Sequence, residues 1–126
     1  MTTAPVLVTG SAGRLGRAAV AALLEAGVTV RGFDRLPTPG LADAVVAELT
    51  DATAVRQAAR GVRCVVHLAA APDDLRYPRG DAPDDGDNFL SELVPANVVG
   101  LYHVLEACRR TPEVRAVVIV TTGCYS

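Results

Sequence analysis

The sequence predicts an α/β fold in which a doubly wound parallel sheet carries helices on both faces. Short apolar runs alternate along the chain with segments of helical periodicity, which is typical of a parallel sheet joined by crossover helices. Hydrophobic residues make up 50% of the 126 residues. A chain of this length can bury one core but not two. We therefore expect one domain that spans residues 1–126.

The first apolar run, Val6–Thr9, leads into three glycines spaced three residues apart and then into a helix. Gly10 permits a turn that a Cβ would prevent, and Gly13 lets backbone N–H groups approach phosphate oxygens. Gly16 lets the helix pack tightly on its strand. The N-terminus of that helix directs its partial positive charge and free N–H groups at the loop. This pattern predicts a binding site for a dinucleotide pyrophosphate, as in a Rossmann-type fold.

A helix and a second strand follow the glycine loop. Residues 18–26 are helix formers, and Gly27 follows them as a C-terminal cap. A second strand over residues 29–33 ends at Asp34, about where a carboxylate binds the diol of a ribose. A carboxylate there repels a 2′-phosphate and favours NAD. Arg14 and Arg35 support the alternative, NADP, because either guanidinium can bind a phosphate.

A third strand is expected over residues 44–49, followed by a helix. Thr50 or Asp51 is the candidate N-cap of this helix, which runs to about Arg60 and ends at Gly61. Residues 62–69 predict a fourth strand, apolar enough for burial on both faces apart from Arg63 and His67. A lone histidine with no second ligand nearby favours a structural role for His67 over a role as base or metal ligand.

The last third of the chain predicts a loop, a helix and a fifth strand. Residues 72–88 are rich in proline and aspartate; we expect a solvated loop, with divalent cation binding as the alternative. Helical spacing of apolar residues predicts a helix over 95–110, and residues 114–121 predict the fifth strand. We expect the strand order 3-2-1-4-5, with the cofactor across the carboxyl ends of strands one and four.

Charge and composition exclude several classes of protein. A net charge of −2 and a pI near 5.6 give no basic field for nucleic acid. The sequence shows neither an apolar run of membrane-spanning length nor a signal-peptide pattern, so we expect a cytoplasmic protein without membrane contact. The three cysteines have no metal-ligand spacing, and we predict no metal site.

These motifs resemble the extended short-chain dehydrogenase/reductases, the NAD-dependent epimerase/dehydratase family that acts largely on nucleotide sugars. Residues 9–16 match its Thr-Gly-x-x-Gly-x-x-Gly motif, Glu48 and Leu49 stand at its adenine-flanking pair, and residues 67–70 resemble the end of its fourth strand. Asn97 resembles a residue of its long helix, and Thr121-Thr122 matches a Ser/Thr pair. The resemblance implies these cofactor-binding residues: Gly10, Ala12, Gly13, Arg14, Leu15, Gly16, Asp34, Arg35, Glu48, Leu49, Leu68, Ala69, Ala70 and Asn97.

The resemblance covers only the first half of a family enzyme. The family's catalytic pair is Tyr-x-x-x-Lys, in which lysine lowers the pKa of the tyrosine, but this chain contains no lysine. Tyr125 resembles a structural tyrosine of the family. Thr122 is the candidate catalytic residue, because the family's second Ser/Thr contacts the substrate; bonding of its hydroxyl to backbone is the alternative.

We therefore expect a truncated NAD(P)-binding domain without the catalytic helix and the carboxy-terminal substrate domain, inactive alone toward a sugar or nucleotide sugar. The alternative is a stand-alone, non-catalytic NAD(P)-binding sensor or regulatory module. Loss of the covering helix would leave apolar surface beside helix 95–110 and strand five. This surface predicts a homodimer or a larger assembly.

Overall fold

The computed structural model describes residues 3–72 and 89–120. Its sheet contains five parallel strands in the order β3-β2-β1-β4-β5. The strands are β1 Val6–Thr9, β2 Val30–Asp34, β3 Ala44–Val46, β4 Cys64–His67 and β5 Ala116–Ile119. The helices are α1 Arg14–Glu25, α2 Ala52–Ala59 and α3 Gly100–Arg109, and a π-helical segment, Phe89–Val99, leads into α3. The predicted fold class and strand order are confirmed.

The central strand β1 is buried on both faces, as expected for a parallel sheet covered by helices. Its side chains alternate between two cores. Val6 and Val8 pack with Val20 of α1 on one face. Leu7 belongs to the larger core on the other face, where α2 and α3 cover the sheet. The members of that larger core are Leu7, Phe33, Leu49, Val55, Ala58, Ala59, Val62, Val65, Val104 and Ala107.

Backbone caps end two helices where the sequence predicts. Gly27 follows α1 with φ +78°, and Gly61 follows α2 with φ +71°, both in the left-handed region that favours glycine. At the start of α2, the Asp51 carboxylate accepts a hydrogen bond from the Ala54 N–H at 3.1 Å. Asp51, rather than the alternative Thr50, therefore caps this helix.

Strands three and four end earlier than predicted, because polar contacts redirect the chain at their carboxyl ends. After β3, the Asp51 N–H donates to the Glu48 carbonyl at 3.0 Å and forms a turn. After β4, the N–H groups of Leu68 and Ala69 donate to the Thr9 hydroxyl. His67 was expected to be an exception to the burial of this strand, but it is only 6% exposed.

The predicted start of the last helix near residue 95 is wrong. The chain is already helical at Phe89, and it follows a π pattern as far as Val99 before α3 begins at Gly100. Pro95 lies inside this segment. Its ring removes one N–H donor and clashes with the carbonyl four residues earlier, which disfavours α-helical bonding. Of the predicted loop over 72–88, only Pro72 lies within the described residues.

We expect Asp51→Ala to lower the free energy of unfolding by about 1 kcal/mol, because the Ala54 N–H then loses its acceptor. Thr50→Ala is the matched control, and its cost should stay below about 0.5 kcal/mol. Asp51→Ser should restore most of the loss, since serine is also a good cap. Urea unfolding followed by circular dichroism measures all three variants. Equal losses for Thr50→Ala and Asp51→Ala would contradict the assignment of the cap.

Candidate cofactor site

A cleft of about 480 Å³ opens at the carboxyl ends of the strands. Ten predicted cofactor-binding residues line it: Gly10, Ala12, Gly13, Asp34, Arg35, Glu48, Leu49, Leu68, Ala69 and Ala70. The cleft thus brings the glycine loop and the ends of β2, β3 and β4 to one place. It lies where ligands bind in open α/β sheets.

Two glycines of the loop, Gly10 and Gly16, pack with no space for a Cβ. Gly10 has φ +72°, and a Cβ at this position would lie 2.8 Å from the backbone nitrogen of Ala69. A Cβ on Gly16 would overlap the carbonyl oxygen of Gly10. Gly16 therefore lets α1 approach the loop itself. These contacts place the N-terminus of α1 beside the end of β4.

The N-terminus of α1 is suited to binding an anion. Its N-cap, Gly13, supplies no side-chain cap, and the first turn contains no acidic residue. The first N–H groups of a helix have no partner within the helix. A phosphate beside them gains hydrogen bonds and favourable interaction with the helix dipole.

Asp34 is fixed by two backbone hydrogen bonds. Its Oδ2 accepts from the Ala12 N–H at 3.0 Å, and its Oδ1 accepts from the Leu36 N–H at 3.0 Å. The first bond ties the end of β2 to the glycine loop, and the half-buried carboxylate lines the cleft. Each carboxylate oxygen keeps a further lone pair, so Asp34 can still accept two ligand hydroxyls.

A second polar contact holds the loop that follows β2. The hydroxyls of Ser11 and Thr38 lie 2.6 Å apart, and both residues are buried. Gly32 makes this contact possible, because a Cβ there would lie 2.7 Å from the Ser11 Oγ. Sequence reasoning did not identify this pair. Its only sequence signal is a hydroxyl residue inside the glycine motif.

The Thr9 hydroxyl connects β1 to the end of β4. It accepts from the N–H groups of Leu68 and Ala69 at 3.1 and 3.2 Å, and it lies 2.7 Å from Nδ1 of His67. With both acceptor positions occupied, the hydroxyl donates its hydrogen to Nδ1. The neutral ring therefore carries its proton on Nε2. Burial lowers the pKa of His67 from its ordinary value of 6.5.

Four predicted cofactor-binding residues lie outside the lining of the cleft. Arg14, Leu15 and Gly16 belong to α1, and Arg14 and Leu15 are exposed to solvent. Asn97 holds the backbone of Ala71 instead. Its Oδ1 accepts from the Ala71 N–H at 2.7 Å, and its Nδ2 donates to the Ala71 carbonyl at 3.1 Å. Direct contact of these four residues with a cofactor stays a prediction.

The cleft also includes residues that sequence reasoning missed. They are Phe33, Leu36, Ala47, Thr50, Ala71, Pro72, Ser91, Glu92, Pro95 and Ala96. The last four belong to the π-helical segment, which has no motif that marks it as part of a site. Its position over the cleft depends on tertiary packing.

Some predictions concern residues that the structure does not describe, and others concern a metal site or a membrane span. Thr122 and Tyr125 lie outside the described residues. Within 3–72 and 89–120, no group of three or more His, Cys, Asp or Glu side chains could hold a metal ion. Among these same residues, every helix is too short or too polar to cross a membrane.

The fold and cleft are those of a nucleotide-binding α/β protein. More narrowly, the chain belongs to the NAD dependent epimerase/dehydratase family, whose model matches residues 6–126. The predicted family is therefore confirmed, and the prediction of NAD as cofactor is confirmed at the level of the family.

Known relatives are much longer than this chain. It is 42% identical over 72 residues to a 3-beta-hydroxysteroid dehydrogenase of Mycolicibacterium neoaurum, an alignment that covers 54% of this chain and 20% of the relative. A short-chain dehydrogenase/reductase superfamily protein of Agrobacterium tumefaciens, solved with bound NAD, is 40% identical. That match has a TM-score of 0.73 and covers 90% of this chain and 31% of the other.

A second solved structure is that of MoeE5 in complex with UDP-glucose and NAD. It is 29% identical to this chain, with a TM-score of 0.71, and the match covers 91% of this chain and 35% of MoeE5. The chain thus spans about a third or less of the length of these relatives. In the two solved structures, the shared part takes in about nine tenths of this chain.

We expect His67 to make stability depend on pH. Because the pKa of His67 is lowered on folding, the unfolded chain binds a proton at higher pH than the folded chain. This contribution to stability is complete above about pH 6.5 and decreases as the pH falls below that value. Glu106 stays ionised over this interval, because Arg109 and Arg110 hold its pKa at about 2.

His67→Asn provides the test, because the asparagine carbonyl can still accept from the Thr9 hydroxyl. Its stability should decrease less than that of the wild type between about pH 7.5 and pH 5.5. Urea unfolding at both pH values gives the comparison. Equal decreases in the two proteins would show that His67 does not supply this pH dependence.

Proposed function

We propose that this chain is the NAD-binding part of an oxidoreductase or epimerase that acts on a sugar or nucleotide sugar. The observation that carries the proposal is the cleft itself, in which an uncapped helix N-terminus and the Asp34 carboxylate lie together. Membership of an NAD dependent family and likeness to NAD-bound structures support it. The sugar substrate rests on the resemblance of the motifs and on MoeE5, which was solved with UDP-glucose.

The described residues suit the parts of NAD. The free N–H groups at the start of α1 would hold the pyrophosphate, because they lack a side-chain cap. Asp34 would accept the hydroxyls of the adenosine ribose. Glu48 and Leu49 would flank the adenine, and Leu68 to Ala70 would line the path toward the nicotinamide. When bound, the nicotinamide supplies hydride transfer.

We propose that the chain does not catalyse the reaction by itself. A tyrosine has an ordinary pKa of about 10, so it is a poor base near neutral pH without a nearby cation. The family's Tyr-x-x-x-Lys pair cannot occur in these 126 residues, because they contain no lysine. Turnover of a sugar substrate by the isolated chain with NAD would contradict this proposal.

We propose that the protein is cytoplasmic. The chain has 14 acidic and 12 basic residues, and its net charge of −2 argues against a nucleic-acid partner.

Asp34→Ala should weaken NAD binding by about 10- to 100-fold, because the ribose hydroxyls lose a charged acceptor. NADP binding should hardly change, since removal of the carboxylate also removes repulsion of the 2′-phosphate. Calorimetric titration with NAD and NADP measures both affinities.

Asp43→Ala is the matched control for Asp34→Ala. Asp43 is an exposed carboxylate that pairs with Arg31 at 3.2 Å and does not line the cleft. Its removal should leave NAD affinity unchanged. Asp34→Asn keeps an acceptor for one backbone N–H group and separates loss of charge from loss of loop structure. Equal losses of NAD and NADP in Asp34→Ala would contradict the ribose assignment.

We also propose that two or more copies of the chain associate through α3 and β5. Two exposed apolar residues lie on α3: Tyr102 at 62% and Leu105 at 42% exposure. They are three residues apart and therefore lie on one face of the helix. Val98, at 61% exposure, belongs to the π-helical segment just before it. Ile119, at 40% exposure, lies on the face of β5 that also carries Val117, which packs against the core that contains α3. An apolar area of this kind favours association.

Leu105→Gln should weaken self-association, because it places a polar group on this apolar surface. Leu24→Gln is the matched control, since Leu24 is 45% exposed on α1, which packs on the face of the sheet opposite α3. Sedimentation velocity over a wide concentration range measures the assembly. A monomeric wild type at high concentration, or equal association of both variants, would contradict the proposal.

A further inference from the structure

Helix α3 contacts the segment between β3 and α2 at two points. Nδ1 of His103 lies 2.7 Å from the carbonyl oxygen of Leu49. A carbonyl oxygen can only accept, so the imidazole donates through Nδ1–H. One turn earlier, Gly100 lies against the side chain of Leu49, where a Cβ would come within 2.8 Å of the Leu49 Cβ. The helix therefore holds both the backbone and the side chain of Leu49.

The segment held in this way, residues 47–50, forms one wall of the cleft. All four of its residues line the cleft. Other hydrogen bonds hold its two ends. The Ala47 N–H donates to the Asp34 carbonyl at 3.0 Å, and the Asp51 N–H donates to the Glu48 carbonyl at 3.0 Å. His103 supplies the side-chain hydrogen bond to the peptide in between.

The Leu49 side chain is fixed by packing as well. It is 8% exposed and belongs to the core that contains Val104 and Ala107 of α3. Packing alone restrains the side chain but leaves the orientation of the peptide plane free. The hydrogen bond from His103 removes that freedom, because it is directional.

We propose that His103 is a positioning residue for the cofactor cleft. Its Nδ1–H fixes the peptide between Leu49 and Thr50 and so sets the shape of the 47–50 wall, which contacts the adenosine half of the dinucleotide. The inference rests on the proposed function, in which this cleft holds NAD. His103 acts through Leu49 and does not itself line the cleft.

Substitutions at position 103 distinguish the hydrogen bond from side-chain volume. His103→Leu keeps a side chain of similar size but removes the hydrogen-bond donor. His103→Asn places an amide N–H close to the position of Nδ1–H and should restore the bond. Thr111→Val is the matched control, because the Thr111 hydroxyl also donates to a backbone carbonyl, that of Ala107 at 2.8 Å, away from the cleft.

Calorimetric titration with AMP, nicotinamide mononucleotide and NAD gives the first readout. His103→Leu should bind AMP and NAD about five- to tenfold more weakly, with nicotinamide mononucleotide unchanged. His103→Asn and Thr111→Val should bind all three as the wild type does. Wild-type affinity for AMP in His103→Leu, or equal loss of both mononucleotides, would overturn the proposal. So would a failure of His103→Asn to restore binding while circular dichroism shows that it is folded.

Amide hydrogen exchange of the ligand-free chain gives the second readout. Exchange over residues 47–51 should be faster in His103→Leu and unchanged in Thr111→Val. The two readouts separate the two proposals. If the wild type fails to bind NAD, the proposed function is wrong. If exchange in His103→Leu matches the wild type, the proposed role of His103 is wrong, whereas the proposed NAD site is unaffected.

Discussion

The backbone of Gly10 lies so close to the end of β4 that a methyl group in place of its hydrogen would meet the nitrogen of Ala69 at 2.8 Å. Gly16 makes a similarly close approach to Gly10 from the first turn of α1. These two approaches bring the ends of β1 and β4 and the start of α1 to one point. Without them, the free N–H groups of the helix and the small residues after β4 would not face the same cleft. The proposed contacts with the pyrophosphate and those of residues 68–70 depend on this geometry.

Beyond the ends of the strands, where the hydrogen bonds of the sheet stop, polar side chains hold the loops in place. The Thr9 hydroxyl accepts from two N–H groups beyond β4, Asn97 pairs with both backbone groups of Ala71, and His103 donates to Leu49. Thr9 is buried and the other two are half-buried, so these polar groups would be costly without partners, and each finds one in a loop that borders the cleft. The cleft is therefore held by side chains from several elements, while its lining remains largely small and apolar residues.

The strand order followed from the doubly wound fold class. Local sequence patterns were sufficient to predict the glycine loop, the position of Asp34 and the glycines that follow α1 and α2. These features depend on backbone geometry or on periodicity, which are readable within a short window. The partners of buried polar groups were not predictable in this way. Ser11 and Thr38 are 27 residues apart, and Thr9 and His67 are 58 residues apart, so only the folded sheet brings them together. The π-helical segment over the cleft is likewise a product of Pro95 and tertiary packing.

The arrangement of charge around Asp34 bears on the choice between NAD and NADP. Its carboxylate accepts a hydrogen bond from the Ala12 N–H of the glycine loop. A bound pyrophosphate would lie at the same loop, so both negative groups would lie in its positive potential. A 2′-phosphate would add negative charge beside a half-buried carboxylate that two N–H groups hold in place. Arg14 and Arg35 are the candidate cations to offset it, but both are exposed, and Arg14 does not line the cleft. Since solvent screens exposed charges more than half-buried ones, the local balance favours the cofactor without the extra phosphate.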